Sequence, residues 1–282
     1  VFVDWFDRGL IYRGFRVVNW DPILKTSVSD IETERRLVKG SLYYIKYPFE
    51  DGSGHITIAT TRPETMLADV AVAVHPEDAR YKHLVGKRIV LPLVGRKIPL
   101  IADEYPDPAF GTGALKITPG HDANDFEVGT RHGLEVLVAF DEIAKVTELY
   151  SPYAGMDRAV ARKAVVADLE AQGFIEKIED HEIALVVSTR SNEPTEPMAS
   201  EQWFVKQSVL AQQAIEAVND GRVDFFPNRY KSVYLDWMEN VRDWCVSRQL
   251  WWGHRIPVYY TEDGTAFAAV SRDEAQKKAG GK

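Results

Sequence analysis

The 282 residues contain a single cysteine, Cys245. One thiol makes no intrachain disulfide and no multi-cysteine zinc site, and it suits a reducing compartment. No apolar run approaches the ~20 residues of a membrane span, and no signal-peptide pattern opens the chain. A soluble, cytoplasmic protein without a membrane partner is therefore expected. Positive charge is also scarce: 34 Lys and Arg face 42 Asp and Glu, for a formal net charge of −8. Non-specific nucleic-acid binding needs many cations to neutralise phosphates, so a generalised nucleic-acid coat is excluded and any RNA contact must be a local basic patch. Two catalytic signatures are missing as well. Phe110-Gly-Thr-Gly-Ala114 lacks the third glycine of a dinucleotide loop and leads into a strand, and no Gly-x-Ser-x-Gly elbow accompanies His121 and Asp122.

What is present is enough for about two domains, with 45% hydrophobic and 27% charged residues. Phe2, Phe6 and Leu10 recur at helical spacing. From Gly40 to Pro119 the pattern is β: residues 42–47 and 55–60 flank a hairpin loop, and further strands are expected over 70–75, 87–91, 97–101 and 114–118. A helix is expected after Asp122, ending near Gly133, and a longer one from the N-cap Asp157 to Gly173. In the second, Ala161, Ala164, Val165 and Leu169 form the buried face, which leaves Arg158, Arg162 and Lys163 outside. Beyond Pro194 the character turns helical, with one helix over 208–218 and another whose stripe is Tyr230, Val233, Tyr234 and Trp237. The tail from Lys277 to Lys282 reads as disordered.

Two stretches concentrate chemistry. Thr60-Thr-Arg-Pro-Glu-Thr65 and Leu115-Lys-Ile-Thr-Pro-Gly-His-Asp-Ala-Asn-Asp125 each follow a strand and end in a helix-start signal. Each has a bland reading. Thr61-Arg62-Pro63-Glu64 fits a capping box with proline in the first turn, and Asp122 or Asp125 fits a helix N-cap. Two caps do not require Lys116 and Thr118, however. These alternate on a strand, so both face one side of the sheet, and that side leads to Asp122.

Thr60-Thr-Arg-Pro-Glu-Thr-Met66, Phe110-Gly-Thr-Gly-Ala-Leu-Lys-Ile-Thr-Pro119 and His121-Asp-Ala-Asn-Asp-Phe-Glu-Val-Gly129 resemble the editing (CP1) domain of the valyl-tRNA synthetases, class I enzymes of the isoleucyl, leucyl and valyl group. Lys116 points to the valyl branch. The resemblance covers nearly the whole chain. It implies an α+β, mainly β fold: a barrel-like domain of curved β-sheets with peripheral helices, flanked by remnants of the synthetase catalytic domain. The implied boundaries are a stem at 1–37, the editing domain at 38–193, and a return stem with the start of the second catalytic half at 194–282. Relatives often carry cysteine zinc knuckles near residues 19–22 and 188–194; Asp21 stands at a cysteine position here, so no metal is expected.

The resemblance further implies hydrolysis of threonine mis-esterified to tRNA(Val), the partner being the 3′ end of that tRNA and the protein a monomer. Asp125 would bind the α-ammonium, Lys116, Thr118 and Asp122 would test for the threonine hydroxyl, and Arg62 and Thr65 would close the other side. Arg62 holding a phosphate or ribose of the tRNA is left open. Backbone N–H groups near Thr60 and Thr61, or Lys116, would face the developing oxyanion. The ATP signatures His-Ile-Gly-His and Lys-Met-Ser-Lys-Ser are absent, so no cofactor is expected here; ATP and magnesium belong to the full-length parent, which ligates valine to tRNA(Val). Two other readings stand beside this one: a non-catalytic tRNA-binding or structural insertion whose aspartates only cap a helix, and a metal-dependent hydrolase using His121, Asp122 and Asp125.

Overall fold

The computed structural model describes residues 1–280. In chain order these form α1 (Phe2–Asp7), β1 (Ile11–Asp21), β2 (Thr26–Val28), β3 (Thr33–Pro48), β4 (His55–Thr60), β5 (Ala71–Val74), β6 (Arg88–Val90), β7 (Lys97–Ala102), β8 (Ala114–Ile117), α2 (Ala123–His132), α3 (Arg158–Ala171), β9 (Ile175–Ser188), β10 (Glu196–Val205), α4 (Gln207–Asn219), α5 (Arg229–Glu239), β11 (Trp244–Cys245), β12 (Val258–Tyr260), β13 (Ala266–Ala268) and α6 (Arg272–Lys278). The chain divides into two compact units. One is Arg16–Ser200, which holds both chemistry-bearing stretches; the other joins Val1–Phe15 to the residues from Glu201 onward.

The Arg16–Ser200 unit is built on two sheets, β4-β3-β9 and β6-β7-β5-β8. The central strand β5 reads Ala-Val-Ala-Val because both its faces are covered, and a strand buried on both sides loses its polar alternation. Val72 and Val74 face a large core shared with Ile45, Tyr47 and Ile58 of the other sheet and with Val165 and Leu169 of α3. Ala71 and Ala73 face a smaller core closed by Ile117 and by Val128 of α2. On β8, Ile117 packs into the smaller core while Ala114 joins the larger one. Period-2 alternation then puts Lys116 and Thr118 on the larger core's side, as the sequence predicts. Antiparallel pairing of β5 with β8 sets Val72 opposite Lys116, so the strand's polar residues lie beside the start of β5.

The barrel does not close. Among the described residues both sheets are open, and the isolated bridge between Phe49 and Ile89 links them. Strands of three to six residues in the β6-β7-β5-β8 sheet give ladders too short to wrap around a core. Face-to-face packing with α3 as a further wall buries the apolar side chains instead.

Both helices expected here form as read. Asp122 caps α2 at its start, and the C-cap Gly133 takes φ +62°, the left-handed conformation that glycine adopts without penalty. Asp157 caps α3. In the other unit, Phe2 and Phe6 of α1 pack on Trp203, with ring centroids 5.9 Å apart in each pair. The α5 stripe is not buried, for Val233 and Trp237 are exposed. The tail expected to be disordered is in part ordered, since Lys277 and Lys278 end α6 and Ala279 and Gly280 form the turn after it; residues 281–282 of that expectation lie outside the described residues. No helix among the described residues is long and apolar enough to cross a membrane.

Candidate active site

The site begins where β4 ends. Thr60 accepts a hydrogen bond from the Arg62 amide (3.0 Å) and the Thr65 hydroxyl donates to the Arg62 carbonyl (3.0 Å), which shapes the turn into a 3-10 helix over Pro63–Ala68. Pro63 occupies its first turn, where a missing N–H costs nothing. The capping box expected here does not form. Arg62, not Thr61, is the N-cap, and Glu64 turns away to meet arginines. Thr61 is partly exposed.

The 3-10 helix ends at Asp69, a residue that sequence reasoning passed over. Asp69 is fully buried and accepts from the Thr118 hydroxyl (2.6 Å), the Lys116 ammonium (3.2 Å) and the Tyr47 hydroxyl (2.7 Å). Lys116 also donates to Thr118. Burial pushes the Asp69 carboxyl up, while Lys116 and the two hydroxyls pull it back. Lys116 and Thr118 thus share one anchor from another element. The available signal was a lone carboxylate inside the apolar run Met66–Val74, which is expensive unless it has partners.

Beyond Thr118 the chain turns through Pro119 and Gly120 into α2. Any Cβ at Gly120 would lie 1.9 Å from the Leu137 carbonyl oxygen, so only glycine fits. Asp122 is the cap of the bland reading: its Oδ1 accepts from the amides of Asn124 (2.7 Å) and Asp125 (3.1 Å). Asp125 is not a cap. Its Oδ2 accepts the Thr118 amide (2.9 Å), tying the helix to the strand end. At 6% exposure it has no cation within ion-pairing distance among the described residues. Burial first, and then the Asp122 charge, push its carboxyl up to about 7 against the pull of Lys116 and the Thr118 amide.

His121 is no triad member. Its Nε2 accepts the Ala139 amide (2.7 Å), so the proton sits on Nδ1, which faces Glu196 (3.2 Å) and the Pro197 carbonyl (3.0 Å). With both nitrogens engaged, neither is free to ligate a metal or take a proton from water. Among the described residues no three His, Cys, Asp or Glu side chains converge as metal ligands.

Arg62 does not point at Lys116. It pairs with Glu196 and with Glu64 (3.3 Å), both fully buried carboxylates. The arginines expected on the solvent face of α3 turn inward to the same pair: Arg162 grips Glu64 through two bonds (2.7 and 2.8 Å), and Arg158 reaches Glu196 (2.9 Å). Helical periodicity places their backbones outward, but long side chains reach around to a buried partner. Burial alone would raise Glu196, yet Arg62, His121 and Arg158 outweigh it and hold the carboxyl well below the usual range. The structure therefore brings Lys116, Thr118 and Asp125 together at one end of the larger core and sets Arg62 in a second ionic cluster linked to them through the 3-10 helix.

A sequence model of the family tRNA synthetases class I (I, L, M and V) matches residues 1–280. The chain is 54% identical over 264 residues to the valine–tRNA ligase of Anoxybacillus flavithermus, covering 93% of this chain and 30% of that protein. It is 53% identical over 277 residues to the valine–tRNA ligase of Thermotoga maritima, with 98% and 32% covered. The chain thus spans about a third of the length of these curated relatives. Among solved structures, a ternary complex of an Agrobacterium radiobacter leucyl-tRNA synthetase with tRNA covers 70% of this chain and 32% of that one, at 18% identity and a TM-score of 0.40, too remote to carry an argument.

Proposed function

Since the chain belongs to the class I tRNA synthetases of the I, L, M and V group, and its close relatives are valine–tRNA ligases, we propose that its Arg16–Ser200 unit hydrolyses threonine wrongly esterified to tRNA(Val), within a parent that ligates valine to that tRNA using ATP. The observation that carries this reading is Asp125, a buried carboxylate held by one backbone amide and, among the described residues, no cation. Such a group is costly to ionise until a positive charge arrives. The α-ammonium of an aminoacyl ester is that charge. Valine and threonine esters both bring it, so Asp125 binds the substrate class and does not choose within it.

Choice falls to Lys116 and Thr118. Threonine differs from valine by a hydroxyl, and an apolar pocket rejects an added hydroxyl poorly; the valyl enzyme is the standard illustration of that limit. A site whose buried polar groups need a hydroxyl partner discriminates in the opposite sense, because valine would leave one unsatisfied at ~1–3 kcal/mol, roughly 5- to 150-fold. Asp69 holds the Lys116 and Thr118 side chains in place for this test.

The ester is already reactive, and positioning a water on its carbonyl carbon supplies much of the acceleration. The water adds, the carbonyl oxygen becomes an oxyanion facing the Thr60–Thr61 backbone or Lys116, and collapse breaks the bond to the ribose oxygen. The proton that the attacking water gives up passes to the leaving ribose oxygen, and free threonine departs. The parallel assay is hydrolysis of threonyl-tRNA(Val) and valyl-tRNA(Val) by the chain, with and without chelator. Selective loss of the threonyl ester, abolished by Asp125→Ala, is the expected result. Equal hydrolysis of both esters, or full activity of the variant, would end the proposal, and chelator sensitivity would favour the metal-dependent reading.

A further inference from the structure

Glu64 and Glu196 are almost completely enclosed carboxylates outside the substrate-facing cluster, and the chemistry above uses neither. Glu64 is fully buried on the 3-10 helix and receives Arg162 through two bonds and Arg62 through one. Glu196, 1% exposed at the start of β10, receives Arg62 and His121 on Oε1 and Arg158 on Oε2. Three guanidinium groups thus surround two carboxylates. Arg158 is further fixed by the carbonyls of Pro194 (2.6 Å) and Thr195 (3.1 Å).

A network that only stabilised the fold would need no particular member to reach the site. Here one oxygen, Glu196 Oε1, touches two residues from different elements of the site, Arg62 before the 3-10 helix and His121 before α2. Arg62 opens the 3-10 helix that carries Thr65 and leads to Asp69. His121 precedes Asp122 and Asp125, and the Ala199 amide bonds the Gly120 carbonyl (2.8 Å), which clamps the same turn from the β10 side. Burying two carboxylates is costly even when they are paired, and apolar residues of equal volume would often stabilise a fold better. The expense is understandable if the geometry it enforces matters.

We infer that Glu196 is a positioning residue of the editing site: through Oε1 it fixes Arg62 against the His121–Asp125 turn and so sets the distance between that turn and the 3-10 helix. Arg62, the member of the trio joined to both carboxylates, keeps 27% of its side chain exposed. That face is the one available to a phosphate or ribose of the incoming RNA end, held in place by the carboxylates behind it. Glu64 secures Arg62 from the other side and ties the arrangement to α3 through Arg162. Arg158 has no such reach, and its part is to keep Glu196 charged and still.

The inference rests on the editing reading for its activity test but not for its structural one. The activity test is a double-mutant cycle on threonyl-tRNA(Val) hydrolysis by the chain, with Glu196→Gln and Arg62→Ala alone and combined. A group acting through Arg62 loses its effect once Arg62 is gone. Glu196→Gln should lower kcat roughly 10- to 100-fold, the scale of a small misplacement, with KM for the tRNA changed much less. In the Arg62→Ala background it should lower kcat no further. Multiplying losses would overturn the inference. Should Glu196→Gln not fold, Glu196→Asp keeps the charge but is one methylene too short to bridge Arg62 and His121, and it enters the same cycle with the same expectation. Arg190→Met, which breaks an exposed ion pair with Glu32 away from this network, is the control, with kcat expected to stay within about threefold.

The structural test reads the Arg62 Nη2 signal, the nitrogen that donates to Glu196, by nitrogen-15 NMR. In the wild-type chain it should be sharp and slow to exchange, and in Glu196→Gln or Glu196→Asp it should shift and broaden. An unchanged signal would overturn the inference even if the chain proved inactive on threonyl-tRNA, and a lack of wild-type hydrolysis with the expected signal change would count against the editing reading alone.

Discussion

The Arg16–Ser200 unit buries two ionic clusters of opposite character. Around Glu64 and Glu196, three arginines and a histidine meet two carboxylates, and no carboxylate oxygen is left without a donor. Around Asp69 and Asp125, one lysine serves two carboxylates, and of the two it bonds only Asp69. The first cluster is neutralised from within and suits scaffolding. The second is short of positive charge and suits recognition of a cation. Burial alone does not separate them, since all four carboxylates are nearly inaccessible; the count of donors does.

The contrast is broken most severely by Glu64→Ala. It leaves Arg62 and Arg162 without their shared counter-charge, and stripping one partner from a buried pair typically costs about 3–5 kcal/mol. Denaturant unfolding should show a loss near the lower figure, because Arg162 is one-third exposed. Asp125→Asn should do the reverse. The carboxyl is pushed up to about 7 in the folded chain against ~3.9 unfolded. Its contribution is therefore fully present below pH ~4 and lost as pH rises through 7. Wild type should lose stability relative to Asp125→Asn across that window, by about 4 kcal/mol at completion. Thermal melts of both proteins at pH 5 and pH 8 check the sign: the variant's advantage should be larger at pH 8.

How much of this was legible in the sequence follows from how far each contact reaches along the chain. Lys116 and Thr118 are two residues apart on one strand, so their shared face is a matter of period. Asp125 was singled out through the motif it completes, and Asp122 as a cap through its place before α2. Asp69 meets Thr118 only because β5 and β8 pair in one register, across 49 residues. Glu196 meets Arg62 across 134 residues. No local pattern encodes either meeting. The inward turn of Arg158 and Arg162 was invisible for another reason: amphipathic spacing assigns a residue's backbone to a face, while a four-bond side chain reaches past it. Of the expected barrel-like domain of curved sheets, the mixed α/β sheets form but do not close among the described residues, because strand count does not determine closure.

Two smaller effects sharpen the contrast. Lys116→Met should leave Asp69 without its cation at a cost of about 2 kcal/mol, and should weaken threonyl-ester hydrolysis far more than tRNA binding; filter binding and deacylation measured together would expose equal losses, which the account does not allow. Asp122→Ala should cost about 1 kcal/mol as a lost N-cap, and Asp122→Asn should recover nearly all of it, because asparagine caps as well as aspartate. If the asparagine variant recovers stability but not hydrolysis, Asp122 faces the substrate in addition to capping α2.

The most direct test is a carbon-13 titration of the Asp125 carboxyl in the free chain and with a non-hydrolysable threonyl-adenosine amide bound. The account predicts a midpoint of about 7 in the free chain and a fall well below it when the ammonium is bound, with the valyl amide giving the same fall at weaker affinity. A free midpoint in the ordinary carboxylate range, or one unmoved by the ligand, would contradict the claim that Asp125 is held short of positive charge for an incoming amine.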